Sequence, residues 1–329
     1  MHQFLPAPGT LAEPPDGQPF PPHAVMPILT RDGYALRAAF FPLAEGIAAK
    51  GTILLLQGRA EFIEKYREVI GELLGRGFAV VSFDWRGQGG SERLLRNSLA
   101  GHVEDFEDYQ LDLEAVIAAM KLRDLPQPWS LLAHSMGGCL ALHHIAKGNS
   151  PFRRAVLTSP LIAVTGLGGS MAGQVVSRML SALGFAIWRI PFGTDVPRLR
   201  GPFEGNPFTR DPSRFGTARG WLEAHPHLGI GDPTIGWVAA AFHALDRFGD
   251  DDFGCLSRTP VLMLLAGADT VVLTASAEKL ALRLRQASAM VLPGSRHEIL
   301  MEQDEVRALF WTAFDAFVPG EGQLERKPI

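Results

Sequence analysis

The sequence predicts an α/β fold in which helices flank a mostly parallel central sheet, with a helical lid or cap inserted into the second half of the chain. Two observations lead to this prediction. Short, continuous apolar runs, typical of strands covered on both faces, alternate with segments of helical spacing. From about residue 161 to residue 252 the alternation stops, and glycine, proline and aromatic residues accompany helical spacing instead. We expect this insertion to lie across the carboxyl ends of the strands, where open α/β sheets place their ligands.

The predicted elements follow one another in a regular order. A hairpin is expected within residues 24–42, turning at Asp32-Gly33, a dipeptide that favours tight turns. Strands are predicted at 52–56, 78–83, 154–158, 261–265 and 289–292, with a further strand from Trp129 to the turn at Ser135. Helices are predicted at 63–76, 103–122, 136–147, 275–285 and 304–317. We therefore divide the chain into an extended arm (1–22), an α/β core (23–160 and 253–319), a helical cap (161–252) and a tail (320–329).

Composition places the chain among globular proteins and argues against several functional classes. With 329 residues, 47% of them hydrophobic, it can bury one large core. A net charge of −4 gives no basic surface for nucleic acid, so we expect no nucleic-acid partner. Its two cysteines, Cys139 and Cys255, form no C-x-x-C pair, and we expect both to be reduced and buried. The first residues lack the basic and apolar regions of a signal peptide, which favours a cytoplasmic location.

A candidate nucleophile stands where an apolar run ends abruptly at Ser135. A strand, a sharp turn and a helix start would lift this serine onto a strained corner, where its hydroxyl can attack a carbonyl. In the G-x-S-x-G pattern the first glycine is replaced by Ala133, which is still small enough for a close strand–helix approach, and the second is Gly137. The alternative role for a serine at this position is that of a helix cap, so its partners decide between the two interpretations.

Two further polar residues follow predicted strands. Asp269 lies in a glycine-containing loop after strand 261–265, and His297 lies in the loop after strand 289–292. Imidazole can accept a serine proton near neutral pH, and a carboxylate can hold its tautomer. The order Ser135, Asp269, His297 is that of the α/β-hydrolases, so we predict these three as the catalytic triad. Asp304 is a rival acid, but it begins a helix, where a carboxylate has a sufficient role at the terminus.

Further motifs resemble those of the monoglyceride lipase and lysophospholipase group of serine α/β-hydrolases, over about residues 25–317. They are Gln57-Gly58-Arg59-Ala60-Glu61, Asp84-Trp85-Arg86-Gly87-Gln88-Gly89-Gly90-Ser91, His134-Ser135-Met136-Gly137-Gly138, Asn206-Pro207-Phe208-Thr209 and the loops of Asp269 and His297. The first motif usually begins with histidine in that group, so Gln57 leaves the anchoring of its loop unpredicted. The resemblance implies the α/β-hydrolase fold.

An oxyanion hole is expected beside the nucleophile. The backbone N–H of Met136 opens the helix after Ser135 and points to where negative charge develops. The resemblance implies that the backbone N–H of Arg59 is the second donor.

The substrate prediction depends on the cap. Met171, Val175, Met179 and Leu183 recur every four residues, and we predict that this apolar stripe binds an acyl chain. Ordinary core packing, a membrane span interrupted by glycines, peripheral membrane contact and a dimer interface remain alternatives for the stripe. We predict no oligomeric state from the sequence.

The predicted activity is that of a carboxylic ester hydrolase. We expect it to cleave monoacylglycerols or lysophospholipids through an acyl-enzyme. The alternatives are short non-lipid esters, a cofactor-free haloperoxidase-type reaction, or a non-catalytic acyl-binding module. No metal or cofactor is predicted, because the chain lacks zinc-site histidine spacing, a P-loop and a dinucleotide-binding glycine motif.

Overall fold

The computed structural model describes residues 10–165 and 171–320, and an eight-stranded sheet forms its centre. The strands are β1 (Ala24–Leu29), β2 (Ala35–Phe41), β3 (Gly51–Leu56), β4 (Phe78–Phe83), β5 (Trp129–His134), β6 (Arg154–Thr158), β7 (Val261–Ala266) and β8 (Ala287–Leu292). Their order in the sheet is β1-β2-β4-β3-β5-β6-β7-β8. The pairs β1–β2 and β2–β4 are antiparallel and the other neighbours are parallel, which confirms the predicted mostly parallel sheet.

Helices cover both faces of this sheet. They are α1 (Arg67–Gly75), α2 (Phe106–Lys121), α3 (Met136–Ala146), α7 (Thr274–Arg283) and α8 (Asp304–Phe317), and α1 follows a 3-10 turn at Ile63–Tyr66. Alternate side chains of each strand enter opposite cores. In β3, for example, Leu54 and Leu56 join the core under α2 and α3, whereas Ile53 and Leu55 join the core under α1 and α8. The continuous apolar run at residues 53–56 of β3 is therefore a consequence of burial on both faces.

Two local expectations need correction. The predicted hairpin forms, but its turn is longer than the two-residue form that Asp32-Gly33 favours, since the Thr30 N–H donates to the Tyr34 carbonyl at 2.9 Å. Gly33 adopts a φ of 92°, which glycine accepts without strain. Cys139 is buried as expected, whereas Cys255 is exposed, because it lies in the turns that precede β7 and not in a packed element.

A helical segment lies between β6 and β7, and we call residues 161–252 the cap segment. It contains α4 (Met171–Leu180) with a π-helical turn (Ser181–Phe185), α5 (Pro212–Ala224) and α6 (Ile235–Asp246). No helix within the described ranges is long and apolar enough to cross a bilayer. The division into arm, core, cap and tail stays a prediction, and residues 1–9, 166–170 and 321–329 lie outside the described residues.

Candidate active site

Ser135 occupies the junction between β5 and α3 in a backbone conformation that residues other than glycine rarely adopt. Its φ is 49° and its ψ is −114°, and its side chain makes no helix-capping hydrogen bond. The backbone holds this corner, because the Ser135 N–H donates to the Thr158 carbonyl at 3.0 Å and the Ser135 carbonyl accepts from the Leu161 N–H at 3.0 Å. A Cβ at Gly137 would lie 2.6 Å from the Gln57 carbonyl oxygen, so glycine there permits the close packing of α3 on β3. The structure places the serine as the nucleophile motif predicts.

Asp269 and His297 meet Ser135 at the carboxyl edge of the sheet. The His297 Nε2 lies 3.0 Å from the Ser135 Oγ, and the His297 Nδ1 lies 2.8 Å from Asp269 Oδ2. Asp269 Oδ1 accepts the backbone N–H groups of Val271 and Val272 at 2.8 and 3.0 Å. One ring nitrogen therefore faces the carboxylate and the other faces the hydroxyl, which is the arrangement required for proton removal from serine.

The surroundings of Asp269 keep its carboxyl group ionised. Burial raises its pKa, but the hydrogen bond and charge of His297, together with the backbone N–H groups of Val272 and Val271, outweigh burial and leave the pKa below its usual value. An ionised Asp269 fixes the proton on His297 Nδ1. The Nε2 atom is then free to accept the proton of Ser135.

The rival acid, Asp304, lies elsewhere. It begins α8, its side chain is 84% exposed, and its carboxylate pairs with Arg214 at 2.7 Å. Its position at a helix start matches the alternative role expected for it. The structure brings Asp269 and not Asp304 to the histidine.

The two expected oxyanion donors border the same cavity as Ser135. Arg59 and Met136 both line this cavity, and neither backbone N–H donates to an acceptor within the part of the chain that the structure describes. Unused donors beside a nucleophile are available to a developing oxyanion. The assignment of Arg59 and Met136 as oxyanion donors stays a prediction supported by this placement.

A cavity of about 340 Å³ is lined by Ser135 and His297. Its apolar wall comes mainly from α6 and from the segments after β6 and β7, with Leu161, Val164, Val238, Ala241, Phe242, Leu245, Val271 and Val272. A volume in this range is typical of small-molecule sites. The structure thus joins the predicted triad to a largely apolar chamber.

The four predicted substrate-binding residues do not line this cavity. Met171, Val175, Met179 and Leu183 are 80%, 49%, 59% and 69% exposed on α4 and the turn after it. The sequence pattern identifies a one-sided helix, but α6, which is apolar on most sides, supplies the chamber wall. The sequence alone does not single out α6, because its long apolar run resembles that of an ordinary core helix.

Comparison with known proteins decides the family. A family model described as serine aminopeptidase, S33 matches residues 47–304. The chain belongs to this family. It is 30% identical over 282 residues to lysophospholipase L2 of Escherichia coli K12, covering 78% of this chain and 77% of that protein. It is 28% identical over 260 residues to probable lysophospholipase L2 of Haemophilus influenzae, covering 79% and 81%.

A solved structure gives the same result for the fold. The chain superposes on a soluble variant of monoglyceride lipase from Saccharomyces cerevisiae, solved with a substrate analogue, with a TM-score of 0.73. The identity is 19%, and the match covers 92% of this chain and 96% of that one. Together these matches confirm the α/β-hydrolase fold and the resemblance to the monoglyceride lipase and lysophospholipase group.

In this S33 family member the loop of residues 57–61, which carries the predicted oxyanion donor Arg59, is held by side chains for which the sequence predicts no role. Glu61 Oε2 accepts the Gly58 N–H at 2.5 Å, and the Gln88 amide donates to the Gly58 carbonyl at 2.9 Å. The Trp85 indole N–H donates to the Gln57 carbonyl at 3.0 Å. The motif at 84–91 therefore holds the loop through its tryptophan and glutamine, whichever residue stands at 57.

A buried charge cluster lies beneath the triad. Lys65 Nζ contacts Glu61 at 2.6 Å and Glu298 at 2.7 Å, and Tyr66 donates to Glu61 at 2.7 Å. Burial opposes the charge of Lys65, but Glu298 and Glu61 raise its pKa. Burial likewise opposes ionisation of Glu61, but Lys65 and His134 hold its pKa below the usual value. The charge cluster thus ties the loop of Gly58 to the residue after His297.

The buried side chain of His134 packs beside His297 and lines the cavity. Its ring lies 4.9 Å from the His297 ring, and its Nδ1 lies 3.1 Å from the Thr158 carbonyl. Burial is the main cause that lowers the pKa of His134 to about 4. A neutral ring therefore packs against the imidazole of His297 at neutral pH.

The 206–209 motif of the cap segment holds the histidine loop. The Glu298 N–H donates to the Phe208 carbonyl at 2.8 Å, and Arg296 donates to the Asn206 carbonyl at 2.8 Å. The neighbouring Thr209 hydroxyl donates to the Met301 carbonyl at 2.6 Å. The motif therefore orients the loop that carries His297.

Proposed function

We propose that this protein hydrolyses carboxylic esters of single-chain lipids through a covalent acyl-enzyme. The observation that carries the proposal is the hydrogen-bonded series Ser135, His297 and Asp269 opening onto an apolar cavity. The relatives named lysophospholipases and the fold shared with a monoglyceride lipase support monoacylglycerols and lysophospholipids as the substrate class.

The first half of the reaction transfers the acyl group to the enzyme. The Ser135 Oγ attacks the ester carbonyl carbon while His297 Nε2 takes the hydroxyl proton. The carbonyl oxygen becomes an oxyanion, and the backbone N–H groups of Arg59 and Met136 donate to it. When the tetrahedral intermediate collapses, the bond to the alcohol oxygen breaks and His297 gives that oxygen its proton. Asp269 stays ionised throughout and stabilises the imidazolium.

The second half regenerates the enzyme with water. His297 takes a proton from a water molecule as the water oxygen attacks the acyl carbon. The new tetrahedral intermediate expels the Ser135 oxygen, which recovers the proton from His297. The fatty acid is released and the site returns to its starting state, so the chain needs no group besides water and the ester.

The exposed apolar residues of the cap segment support a second role in lipid handling. Phe192 and Val196 are exposed like the apolar residues of α4, and Val196 directly precedes Pro197, which lines the cavity. Exposed apolar side chains of this kind are typical of proteins that contact a lipid surface. We infer peripheral contact with lipid surfaces at this segment, and a cytoplasmic location stays a prediction.

The proposal is tested by covalent labelling and product analysis. A fluorophosphonate should label the wild-type protein and not Ser135→Ala, and free fatty acid should appear from 1-palmitoyl glycerol or palmitoyl lysophosphatidylcholine only with the wild type. Removal of a triad serine lowers kcat by about 10⁶-fold. Turnover of aminoacyl anilides without ester turnover, or a wild-type protein that resists the label, would contradict the proposal.

A further inference from the structure

The side chain of Arg59 is a cation on the cavity wall without a carboxylate bonded to it. Its Nη2 donates to the Gly231 carbonyl at 2.7 Å, and its guanidinium carbon lies 5.1 Å from the centre of the Trp237 ring. The Nε atom is buried and has no hydrogen-bond partner in the described part of the chain. Burial lowers the pKa of Arg59 to about 10, so the guanidinium remains charged at neutral pH.

Two other buried arginines of this chain, Arg37 and Arg86, are neutralised by carboxylates. Arg37 contacts Glu64 at 2.6 Å, and Arg86 contacts Asp112 at 2.7 Å. Burying a charge is costly unless an opposite charge and hydrogen bonds compensate it. Arg59 differs from Arg37 and Arg86 because no carboxylate of the described residues contacts its guanidinium group. Since Arg59 lines the cavity, a bound ligand can supply the opposite charge.

The nearby acid does not supply this compensation. Asp232 attracts the Arg59 cation at longer range, but its Oδ1 accepts from Arg198 Nε at 2.9 Å and its Oδ2 accepts from the Thr194 N–H at 3.0 Å. Arg59, Arg198 and Asp232 all line the cavity. Two guanidinium groups thus share one carboxylate, and this side of the cavity carries an excess positive charge.

The helix α6 separates this cationic end from the apolar end. Trp237, which meets Arg59, lies in the first turn of α6, whereas Leu245 lies in its last turn. A helix rises about 1.5 Å per residue, so the two positions are roughly 12 Å apart along the axis. Both residues line the cavity, which is therefore amphipathic along its length.

We propose that the Arg59 guanidinium binds the phosphodiester of a lysophospholipid, while the acyl chain lies along the apolar part of α6. The backbone N–H of the same residue would donate to the oxyanion. The ester carbonyl and the phosphate of such a lipid are separated by a glycerol unit, a distance comparable to the length of one arginine side chain. Arginine is suited to this role because its planar fork donates two parallel hydrogen bonds to a phosphate. This inference rests on the proposed ester hydrolysis and narrows its substrate class.

The test compares two esters that share an acyl chain. Palmitoyl lysophosphatidylcholine and 1-palmitoyl glycerol are offered in the same detergent micelles to the wild type and to Arg59→Met, and the ratio of the two kcat/KM values is measured. Loss of a charge-assisted hydrogen bond should lower the ratio of lysophospholipid to monoacylglycerol at least about tenfold. Arg59→Lys, which keeps the charge but not the fork, should give an intermediate ratio.

A matched control comes from Arg93, another arginine without a bonded carboxylate. It donates to the His227 carbonyl at 2.6 Å, burial lowers its pKa to about 10, and it does not line the cavity. Arg93→Met should leave the substrate ratio unchanged. The rate of fluorophosphonate labelling reports whether each variant keeps an intact triad. If Arg59→Met does not fold, the comparison is made with Arg59→Lys instead.

Inhibition by soluble anions shows whether Arg59 prefers a phosphodiester or a carboxylate. Glycerophosphocholine should inhibit the wild type competitively and Arg59→Met about tenfold more weakly, whereas succinate should inhibit both variants weakly. Strong, Arg59-dependent inhibition by succinate alone would reassign the site to a carboxylate and overturn the inference.

Two outcomes separate this inference from the proposed function. If Arg59→Met lowers turnover of both lipids by the same factor, the side chain only supports the loop, and the inference fails while ester hydrolysis stands. If the wild type hydrolyses neither lipid and resists the fluorophosphonate, the proposed function fails, and this inference fails with it.

Discussion

The loops at the carboxyl edge of the sheet and the exposed surface of α4 obey different physical rules. In the loops, Ser135, Asp269 and His297 are held by short hydrogen bonds and by the register of parallel strands. On α4 and the turn after it, Met179 is 59% exposed and Leu183 is 69% exposed. Topology therefore fixes the positions of these three polar side chains, whereas the apolar side chains of α4 named here lie largely in solvent.

The largest loss of activity should follow from a substitution among the hydrogen-bonded residues Ser135, His297 and Asp269. Asp269→Asn changes the hydrogen-bonding preference of the histidine ring while preserving the shape of the side chain. We expect kcat to fall by about 10⁴-fold because the wrong tautomer is favoured. Steady-state hydrolysis of a p-nitrophenyl ester measures this loss, and Asp304→Asn, on an exposed residue of α8, serves as the control. Equal losses in the two variants would refute the assignment of Asp269.

The next effect concerns the charge cluster that supports the loops. Glu61→Ala removes the acceptor of the Gly58 N–H and one partner of Lys65. Breaking a buried ion pair costs about 3 kcal/mol or more of the free energy of unfolding, and misplacing an oxyanion donor should lower kcat by about 10²-fold.

Glu61→Gln separates the two consequences of that loss. The amide oxygen can still accept the Gly58 N–H, so this variant should recover most of kcat while remaining less stable than the wild type. Urea unfolding and the separate values of kcat and KM check the prediction. A Glu61→Gln enzyme that is as slow as Glu61→Ala would show that charge, and not the hydrogen bond to Gly58, places the loop.

A smaller effect is expected from a buried histidine of α3, away from the triad. Neither ring nitrogen of His144 has a hydrogen-bond partner among the described residues, and burial is the main cause that lowers its pKa from 6.5 to about 4. Between these two values the unfolded chain binds more protons than the folded chain, so stability is full above about pH 6.5 and is lost as the pH falls toward 4.

The variant His144→Leu should flatten this dependence. We expect the difference in the free energy of unfolding between pH 7 and pH 5 to shrink by about 1 kcal/mol relative to the wild type. Urea titrations at the two pH values measure it, and His243→Leu, at an exposed position of α6, is the control. An unchanged difference in His144→Leu would mean that the folded chain accommodates the charged ring.

The smallest effect on stability should come from the exposed side of the comparison. Met179→Glu should change the free energy of unfolding by no more than about 0.5 kcal/mol, since the side chain lies mainly in solvent. Met120→Glu, at a fully buried methionine of α2, should unfold the protein. Met179→Glu should nevertheless weaken sedimentation with lipid vesicles about threefold or more. Full vesicle binding by this variant would remove α4 from the lipid contact.

The same contrast explains what the sequence could predict. The strands and the order Ser135, Asp269, His297 were predictable because buried parallel strands need continuous apolar runs and their carboxyl ends share one edge. The structure brings these residues together as expected. The charge cluster was missed because Lys65 and Glu298 are distant in sequence, although Glu61 and Lys65 stand four residues apart and Glu298 directly follows His297.

The cap segment was less predictable for a physical reason. Spacing of Met171 and Val175 indicates one apolar side of a helix, but it does not say whether that side meets protein, ligand or solvent. On α6 the converse problem arises, because residues such as Val238 and Leu245 belong to a run that is apolar on most sides. Assigning the chamber wall requires the position of each helix over the sheet, and this depends on long-range packing.

The space at Gly137 admits only a hydrogen atom, and this limits which substitutions the site tolerates. A Cβ at this position would lie 2.6 Å from the Gln57 carbonyl oxygen. The first turn of α3 therefore packs directly against the end of β3, where the loop of residues 57–61 begins. A side chain larger than hydrogen at residue 137 would therefore push α3, and Ser135 before it, away from the loop that carries Arg59. The side chains around the cavity are therefore better positions for altering substrate preference than residue 137 is.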